Sequence, residues 1–259
     1  MSAEKENSTR TITMEEEVRR VVDAGRERGL HLRVIGGVAV KLHCPSAQHR
    51  SMARSYGDID FVGYRSERTE VARLMEDLGY EPNRRFNQLQ GHRRLLFDNP
   101  ELGYDADIFL DVFVMCHELN LVGRLELDEY TIPIEELLLS KLQVIQLNEK
   151  DIKDSFAMLC DHDIAEVDDR DTIDSRFIAK LCSDDWGWYK TLTMNIDKIT
   201  DMADDFLDEK EKEVVVERLA RLRRIIEDVP KSMKWKMRAR IGEKKRWYEL
   251  PEDVVTHQH

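Results

Sequence analysis

Two aspartates one residue apart are the first side chains whose spacing suggests chemistry. They belong to the segment DIDFVG at 58–63, in which polar and apolar residues alternate as they do in a β-strand. Side chains at positions i and i+2 of a strand point to the same side, so Asp58 and Asp60 are expected next to each other. Two adjacent carboxylates repel unless a cation lies between them. Because Mg²⁺ prefers oxygen ligands and is often bound by one or two carboxylates plus substrate phosphates, the pair predicts a magnesium site.

A second acidic strand follows in the sequence. The segments GHRRLLF, DNPELG and YDADIFLDVFV predict a strand, a turn and an antiparallel partner strand. By parity Asp105, Asp107 and Asp111 share one face of that partner strand. Asp111 lies between Leu110 and Val112, where a carboxylate is costly unless it is paired or binds a metal. We therefore predict Asp111 as the base that takes a proton from an attacking hydroxyl, with Asp107 as the alternative.

A pair of glycines lies between a predicted strand at 31–35 and a predicted short helix at 38–42. Such a turn lets backbone N–H groups approach a phosphate, and the helix N-terminus that follows favours the anion. Gly36 and Gly37 therefore predict a phosphate-binding turn. Taken alone, the pair is also consistent with a simple tight turn.

The order of these features resembles the DNA polymerase β-type nucleotidyltransferases, in which a Gly-Gly turn precedes an Asp-x-Asp strand and a third acidic strand. The closest pattern is that of the abortive-infection toxin-type branch. Arg54, four residues before Asp58, is similar to an arginine that often precedes the motif there, and Lys141-Leu142 and the sequence KDIKD at 150–154 match two further motifs. The resemblance covers roughly residues 30–160.

The resemblance implies an activity: transfer of a nucleoside monophosphate from a nucleoside triphosphate (NTP) to an acceptor hydroxyl, with release of pyrophosphate. It assigns metal binding to Asp58, Asp60 and Asp111, with up to two Mg²⁺ ions, phosphate contact to Lys141, and nucleotide binding to Gly36, Gly37, Arg54 and Asp154. The acceptor stays open among tRNA, a protein and a small molecule, and so does the oligomeric state.

One departure favours an alternative function. The segment 38–57 places 20 residues between Gly37 and Asp58, longer than is usual in these enzymes. We expect it to form a loop near the site. It leaves open a non-catalytic nucleotide-binding or interaction module on a decayed nucleotidyltransferase fold.

Several candidate residues also have structural interpretations. Lys141 lies within an apolar stripe of a helix predicted at 133–147, so its amine must snorkel or pair. Asp154 could serve simply to open a helix, because acids are favoured in a first turn. Arg93 and Arg94 could contact a triphosphate, although only one of two adjacent residues can face the site, and cross-strand pairing with acids is the alternative.

Charge is uneven along the 259 residues, whose net charge of −12 excludes a uniformly basic surface for coating nucleic acid. Segment 161–213 has 17 acidic and 7 basic residues, whereas segment 231–248 has 8 basic residues and one acidic residue. The basic segment either packs on the acidic one or meets an acidic partner such as RNA. Its apolar residues Trp235, Met237, Ile241 and Trp247 predict core or interface, or a base-stacking platform because lysines and arginines lie between them.

The expected fold is α/β (α+β): a mixed sheet with flanking helices in residues 1–160, followed by an all-helical domain in residues 161–259. Residues 1–10 are expected to be disordered, and Thr13 and Glu16 form a capping box for the first helix. No run of about 18 apolar residues and no secretory signal is present, which excludes a membrane span. The four cysteines form no CxxC pair and fit a reducing compartment, so we predict a cytoplasmic protein.

Overall fold

The computed structural model describes residues 12–49, 51–167 and 170–250, so the prediction for residues 1–10 lies outside the described residues. The fold is α+β, with a five-stranded mixed sheet, two small two-stranded sheets and surrounding helices. Within these ranges no helix is both long and apolar enough to cross a membrane.

Strands and helices are numbered in chain order over the described residues. The strands are β1 (Leu32–Ile35), β2 (Asp58–Gly63), β3 (Glu81–Pro82), β4 (Arg94–Asn99), β5 (Tyr104–Leu110), β6 (Val112–Val114), β7 (Glu118–Asn120), β8 (Asp163–Ala165) and β9 (Thr172–Asp174). The helices are α1 (Met14–Glu27), α2 (Gly36–His43), α3 (Arg68–Asp77), α4 (Arg84–Gln90), α5 (Ile134–Leu142), α6 (Glu149–Asp161), α7 (Ser175–Asp184), α8 (Trp186–Asp201), α9 (Ala203–Phe206), α10 (Glu209–Asp228) and α11 (Met233–Ile241).

The central sheet has the strand order β1-β2-β5-β4-β3. Strands β2 and β5 are parallel, whereas β1 is antiparallel to β2, and β4 is antiparallel to both β5 and β3. The parallel register places Asp60 opposite Asp107, and the antiparallel register of β1 places Ile35 opposite Asp60. The end of β1, where α2 begins, therefore lies beside Asp60 on β2, and β5 with Asp107 is the next strand beyond it.

Local sequence signals explain the elements that hold this sheet. The Thr13 hydroxyl accepts from the Glu16 N–H and the Glu16 carboxylate accepts from the Thr13 N–H, which confirms the capping box of α1. The apolar stripe of α1, which includes Val18, Val21 and Val22, is buried. Strand β2 forms where alternation predicts it, and the β4–β5 hairpin forms in the predicted strand–turn–strand segment, although β5 ends at Leu110 instead of continuing to Val114.

The helix predicted at 133–147 is shorter than expected, because α5 ends at Leu142. Tertiary hydrogen bonds explain the early end. The Asn195 amide donates to the carbonyls of Leu142 (2.7 Å) and Val144 (2.9 Å), so an α8 side chain satisfies backbone acceptors at the end of the helix.

The part after residue 160 is mostly helical, but the expectation of an all-helical segment is wrong. Strands β8 and β9 form a short parallel pair, in which Ile164 and Ile173 are opposite each other and buried. One hydrophobic cluster contains Leu159 of α6 and Leu219 of α10, so the later helices pack directly on the earlier ones. The division near residue 160 stays a sequence-based prediction.

Candidate active site

Three aspartates lie next to one another on one face of the sheet, and we call them the acidic group: Asp58, Asp60 and Asp107. The first two alternate on β2, and the parallel register brings Asp107 of β5 to the side of Asp60. Burial, followed by the like charges of Asp58 and Asp107, raises the pKa of Asp60 to about 7. The neighbouring strands thus concentrate negative charge at one point.

One arginine partly compensates this charge. The Arg94 Nε donates to both carboxylate oxygens of Asp107, at 2.6 and 2.8 Å, and its guanidinium also lies 4.8 Å from the centre of the Phe109 ring. Burial raises the pKa of Asp107, although Arg94 acts in the opposite direction. This contact confirms the cross-strand pairing considered for Arg94. Against three carboxylates, one guanidinium leaves an excess of negative charge.

The donor set of the acidic group fits a loosely held divalent cation. In the part of the chain that the structure describes, no cluster of three or more histidine, cysteine or acidic side chains is arranged as a metal site. With Asp107 paired to Arg94, the carboxylates of Asp58 and Asp60 are the ones available to a cation. Magnesium typically uses one or two carboxylates and completes its coordination with water and substrate phosphates. A cation there would also relieve the repulsion that raises the pKa of Asp60.

Gly36 places the backbone directly against this group. Its φ is +78°, a left-handed conformation that favours glycine, and a Cβ at this position would lie 2.5 Å from the Oδ2 of Asp60. Ile35, the residue before α2, provides no side-chain cap for the first amides of the helix. The start of α2 therefore combines close approach to a carboxylate with N–H groups suited to an anion.

Gly37 is required for a different reason. A Cβ there would lie 1.7 Å from an Nη atom of Arg54 and 2.9 Å from the Tyr56 ring. The end of the long segment 38–57 thus lies next to the glycine turn, where the side chains of Arg54 and Tyr56 pack against it. The sequence predicted phosphate at this glycine, and the structure places the Arg54 guanidinium there.

Arg54 belongs to what we call the ion-pair network: Arg54, Lys141, Asp151 and Asp154. The guanidinium donates to both Asp154 oxygens, at 2.8 and 2.7 Å, and Lys141 Nζ lies 2.8 Å from Asp154 Oδ2 and 3.6 Å from Asp151 Oδ1. Asp154 is only 2% exposed. Although burial opposes the effect, Lys141 and Arg54 lower the pKa of Asp154.

The ion-pair network borders the acidic group. The positive charge of Lys141 acts to lower the pKa of Asp60, against the stronger effect of burial. Lys141 is thus paired, as its position within the apolar stripe of α5 requires. The structure brings together seven of the eight predicted site residues: Gly36, Gly37, Arg54, Asp58, Asp60, Lys141 and Asp154.

Asp111 is the exception. The alternation of β5 ends at Leu110, and Asp111 has a φ of +66°, so strand parity no longer fixes where its side chain points. Its Oδ1 accepts from the Arg65 N–H at 2.9 Å, and its side chain is 24% exposed rather than buried. Its N–H donates to the Gly63 carbonyl at 2.9 Å, and Gly63 is three residues beyond Asp60 on β2, which at about 3.3 Å per residue is roughly 10 Å along the strand. The expected meeting of Asp111 with Asp58 and Asp60 does not occur.

Tyr56 is a site residue that the sequence did not reveal. Its ring lies 4.3 Å from the Arg54 guanidinium carbon and 5.6 Å from the Lys41 amine, and it borders Gly37. Its hydroxyl is buried and has no hydrogen-bond partner among the described residues. Only its position two residues after Arg54 could have pointed to it.

Comparison with protein families places the chain in a class. A family model described as "Uncharacterised nucleotidyltransferase" matches residues 1–182. The protein belongs to this nucleotidyltransferase family. The abortive-infection toxin-type branch stays a prediction. No curated protein sequence matches the chain significantly.

Two solved structures are similar in fold over part of the chain. One is the antibiotic-resistance factor ANT(2'')-Ia, with 15% identity and a TM-score of 0.39, covering 57% of this chain and 83% of the other. Another is the lincosamide antibiotic adenylyltransferase LnuA in its lincomycin-bound form, with 17% identity and a TM-score of 0.40, covering 57% of this chain and 97% of the other.

Proposed function

We propose that the protein transfers a nucleoside monophosphate from an NTP to an acceptor hydroxyl in a magnesium-dependent reaction. The acceptor oxygen forms a bond to the α-phosphorus, the bond from that phosphorus to the bridging oxygen breaks, and pyrophosphate leaves. The observation that carries the proposal is the acidic group, whose excess negative charge lies directly against the Gly36 turn. Membership of the nucleotidyltransferase family supports the same reaction class.

Asp58 and Asp60 are the residues we propose to hold magnesium. When bound, the ion would neutralise phosphate charge and lower the pKa of the acceptor hydroxyl. We assign to Asp107, in place of Asp111, the role of accepting the hydroxyl proton. Asp107 lies next to Asp60 and its pKa is raised by burial, while Arg94 fixes its orientation.

The cationic side of the site would bind the triphosphate. Lys141 lies near enough to influence Asp60 electrostatically, and Asp154 holds both Lys141 and Arg54 in place. We propose that phosphate oxygens contact Lys141 and the first amides of α2. The unpartnered Tyr56 hydroxyl provides a further hydrogen-bonding group next to Gly37.

The test is transfer from α-labelled NTPs into separate pools of RNA, protein and small molecules, with Mg²⁺ or with EDTA. The wild-type chain should release pyrophosphate and label one pool only with Mg²⁺. Asp58→Asn/Asp60→Asn should lower the rate by at least about a thousandfold, because both proposed metal ligands are lost. The double variant Asp204→Asn/Asp205→Asn, in exposed residues of α9, is a matched control and should remain within twofold of wild type. Transfer by a folded Asp58→Asn/Asp60→Asn protein at the wild-type rate would contradict the mechanism.

A non-catalytic nucleotide-binding module is the second candidate. Two observations favour it: Arg94 already pairs with Asp107, and Arg54 fills the space beside Gly37. Calorimetry of NTP binding with and without Mg²⁺ separates the two functions. Tight binding without label transfer to any pool would support the module and reject the enzyme.

A further inference from the structure

A cavity of about 1010 Å³ lies between the C-terminal segment 234–250 and the rest of the protein. Its other walls are the β6–β7 hairpin, at Val114 to Glu118, and the junction of α7 and α8, at Asp184 to Gly187. The volume is at the upper end of the roughly 300–1,000 Å³ typical of ligand pockets. None of the acidic group or the ion-pair network lines it.

The walls of this cavity are fixed by hydrogen bonds. The Trp247 indole N–H donates to the Thr191 hydroxyl at 3.1 Å, and the Glu249 N–H donates to the Cys116 carbonyl at 3.0 Å. Within the segment, Arg238 donates to two backbone carbonyls at 2.7 and 2.6 Å. The C-terminal segment is therefore held on α8 and on the β6–β7 hairpin.

Aromatic side chains form a large part of the apolar lining. Three of the four tryptophans, Trp186, Trp235 and Trp247, line the cavity together with Tyr248. The rings of Trp186 and Trp247 meet edge to face at 5.8 Å. The indole N–H of Trp235 is buried and has no acceptor among the described residues. The lining thus combines several aromatic rings with one buried, unsatisfied indole donor, and Arg238 and Arg246 lie over the rings of Trp186 and Tyr248.

Four cations of the lining are exposed: Arg93, Lys234, Lys245 and Arg246. The Arg246 guanidinium lies over the Tyr248 ring, with its carbon 4.8 Å from the ring centre. In the described ranges none of them forms an ion pair, whereas Arg94 next to Arg93 is paired with Asp107. The chain has 52 acidic residues, so unpaired cations collected on one aromatic surface indicate an anion from outside the chain.

Acidic side chains of the lining do not cancel this charge. Asp184 is ion-paired with Lys180 at 2.7 Å, and Asp185 accepts from the first amides of α8 as its N-cap. Glu118 and Glu249 are the remaining acids of the lining. Among the lining side chains that form no ion pair with the described residues, five cations face three acids, because Arg238 and Asp185 are hydrogen-bonded only to neutral backbone groups.

We propose that this cavity binds single-stranded nucleic acid. Cations that contact phosphates, combined with aromatic rings on which bases stack, are the combination that single strands require, and stacking tolerates any base. Arg93 of this cavity is next in the chain to Arg94, whose guanidinium pairs with Asp107 of the acidic group. Binding at this cavity does not depend on the proposed transfer reaction.

The experiment measures fluorescence anisotropy of fluorescein-labelled 12-nucleotide oligo(U) and oligo(dT) with the full chain, in EDTA, across 50–200 mM KCl. Lys234→Ala/Lys245→Ala/Arg246→Ala should weaken binding at least tenfold. It should also reduce the slope of log affinity against log salt by about 2, since each phosphate contact on a single strand contributes about 0.7. Tyr248→Leu should weaken binding several-fold through lost stacking.

The matched control is Lys236→Ala/Arg240→Ala/Lys244→Ala, which removes three exposed cations of the same segment outside the cavity. It should change affinity less than threefold. Equal losses in both triple variants, or no wild-type binding at 50 mM KCl, would overturn the proposal. So would inorganic polyphosphate that competes as well per phosphate as the oligonucleotides, because bases would then contribute nothing. Asp58→Asn/Asp60→Asn should bind normally, which separates this proposal from the transfer reaction.

Discussion

The acidic group and the ion-pair network border the same glycine turn but handle charge in opposite ways. In the acidic group three carboxylates share one guanidinium, and the pKa of Asp60 is raised to about 7 by burial and by its acidic neighbours. In the ion-pair network two carboxylates face two cations, and the pKa of Asp154 is lowered by Lys141 and Arg54 despite burial. The charge of the acidic group is therefore unbalanced, whereas the charge of the neighbouring ion-pair network is balanced.

This difference in charge balance distinguishes a region that needs a bound ligand to neutralise its charge from a region whose charge the protein neutralises itself. Buried charge without a partner is costly, and a fold tolerates it where a bound ion or substrate supplies the missing charge. Buried charge with a full set of partners fixes geometry but needs no ligand. On this basis the acidic group should lower the stability of the fold in the absence of metal, whereas the ion-pair network should contribute to that stability.

Asp154→Asn should produce the largest change in stability. It leaves Arg54 and Lys141 without their shared buried partner, and breaking a buried ion pair in this way typically costs about 3–5 kcal/mol. Urea unfolding followed by circular dichroism measures the loss. Asp197→Asn, which removes an exposed helical partner of Arg223, is the control and should cost less than about 1 kcal/mol. Equal effects of the two substitutions would remove the distinction between the regions.

Local rules predicted the parts of the site that lie within regular elements. Alternation placed Asp58 and Asp60 on one face of β2, and the apolar stripe of α5 required Lys141 to find a partner. The capping box of α1 was also readable, because its hydrogen bonds span three residues. The identity of the partners was not readable, since Arg54 and Asp154 lie 100 residues apart in the chain.

Asp111 shows where such rules end. Parity holds only while a strand continues, and β5 stops one residue before Asp111. Aspartate tolerates a positive φ better than most residues, so the sequence carries no strong signal of the break.

Helix α4 was not predicted from the sequence because it is short and mostly polar. Its main local signal was the cap in which the Asn83 side chain accepts from the Phe86 N–H.

The stability of the protein should also depend on pH through His43, a half-buried histidine. Burial lowers the pKa of His43 to about 4, below its ordinary value of 6.5. The unfolded chain therefore binds this proton more readily, so stability is retained above pH 6.5 and is lost as the pH falls towards 4. The loss should be about 1–2 kcal/mol, read from urea midpoints at pH 7, 5.5 and 4.5. Subtracting the His43→Gln curve should isolate this step, and an unchanged slope in that variant would show that another group titrates.

Asp60→Asn should have a smaller effect of the opposite sign. In EDTA at pH 8 it should raise the free energy of unfolding by about 1 kcal/mol, because it removes a partly buried charge beside two other carboxylates. Added Mg²⁺ should raise the melting temperature of the wild type and leave the variant unchanged. A destabilised variant, or one that Mg²⁺ still stabilises equally, would show that the charge of Asp60 is already balanced.

Asp111→Asn should have the smallest effect. Asparagine accepts the same positive φ and keeps an oxygen for the Arg65 N–H, while the ion pair it removes spans 3.5 Å to an arginine that is 49% exposed. Such exposed pairs contribute about 0–1 kcal/mol, so stability should change by less than about 0.5 kcal/mol.

The rate of nucleotide transfer by the Asp111→Asn variant should stay within threefold of wild type. Asp107→Asn should lower that rate by at least about a hundredfold, as the loss of a general base does. Equal losses of activity in the Asp111 and Asp107 variants would contradict the assignment of Asp107 as the third catalytic carboxylate. The unbalanced charge of the acidic group would then need another explanation.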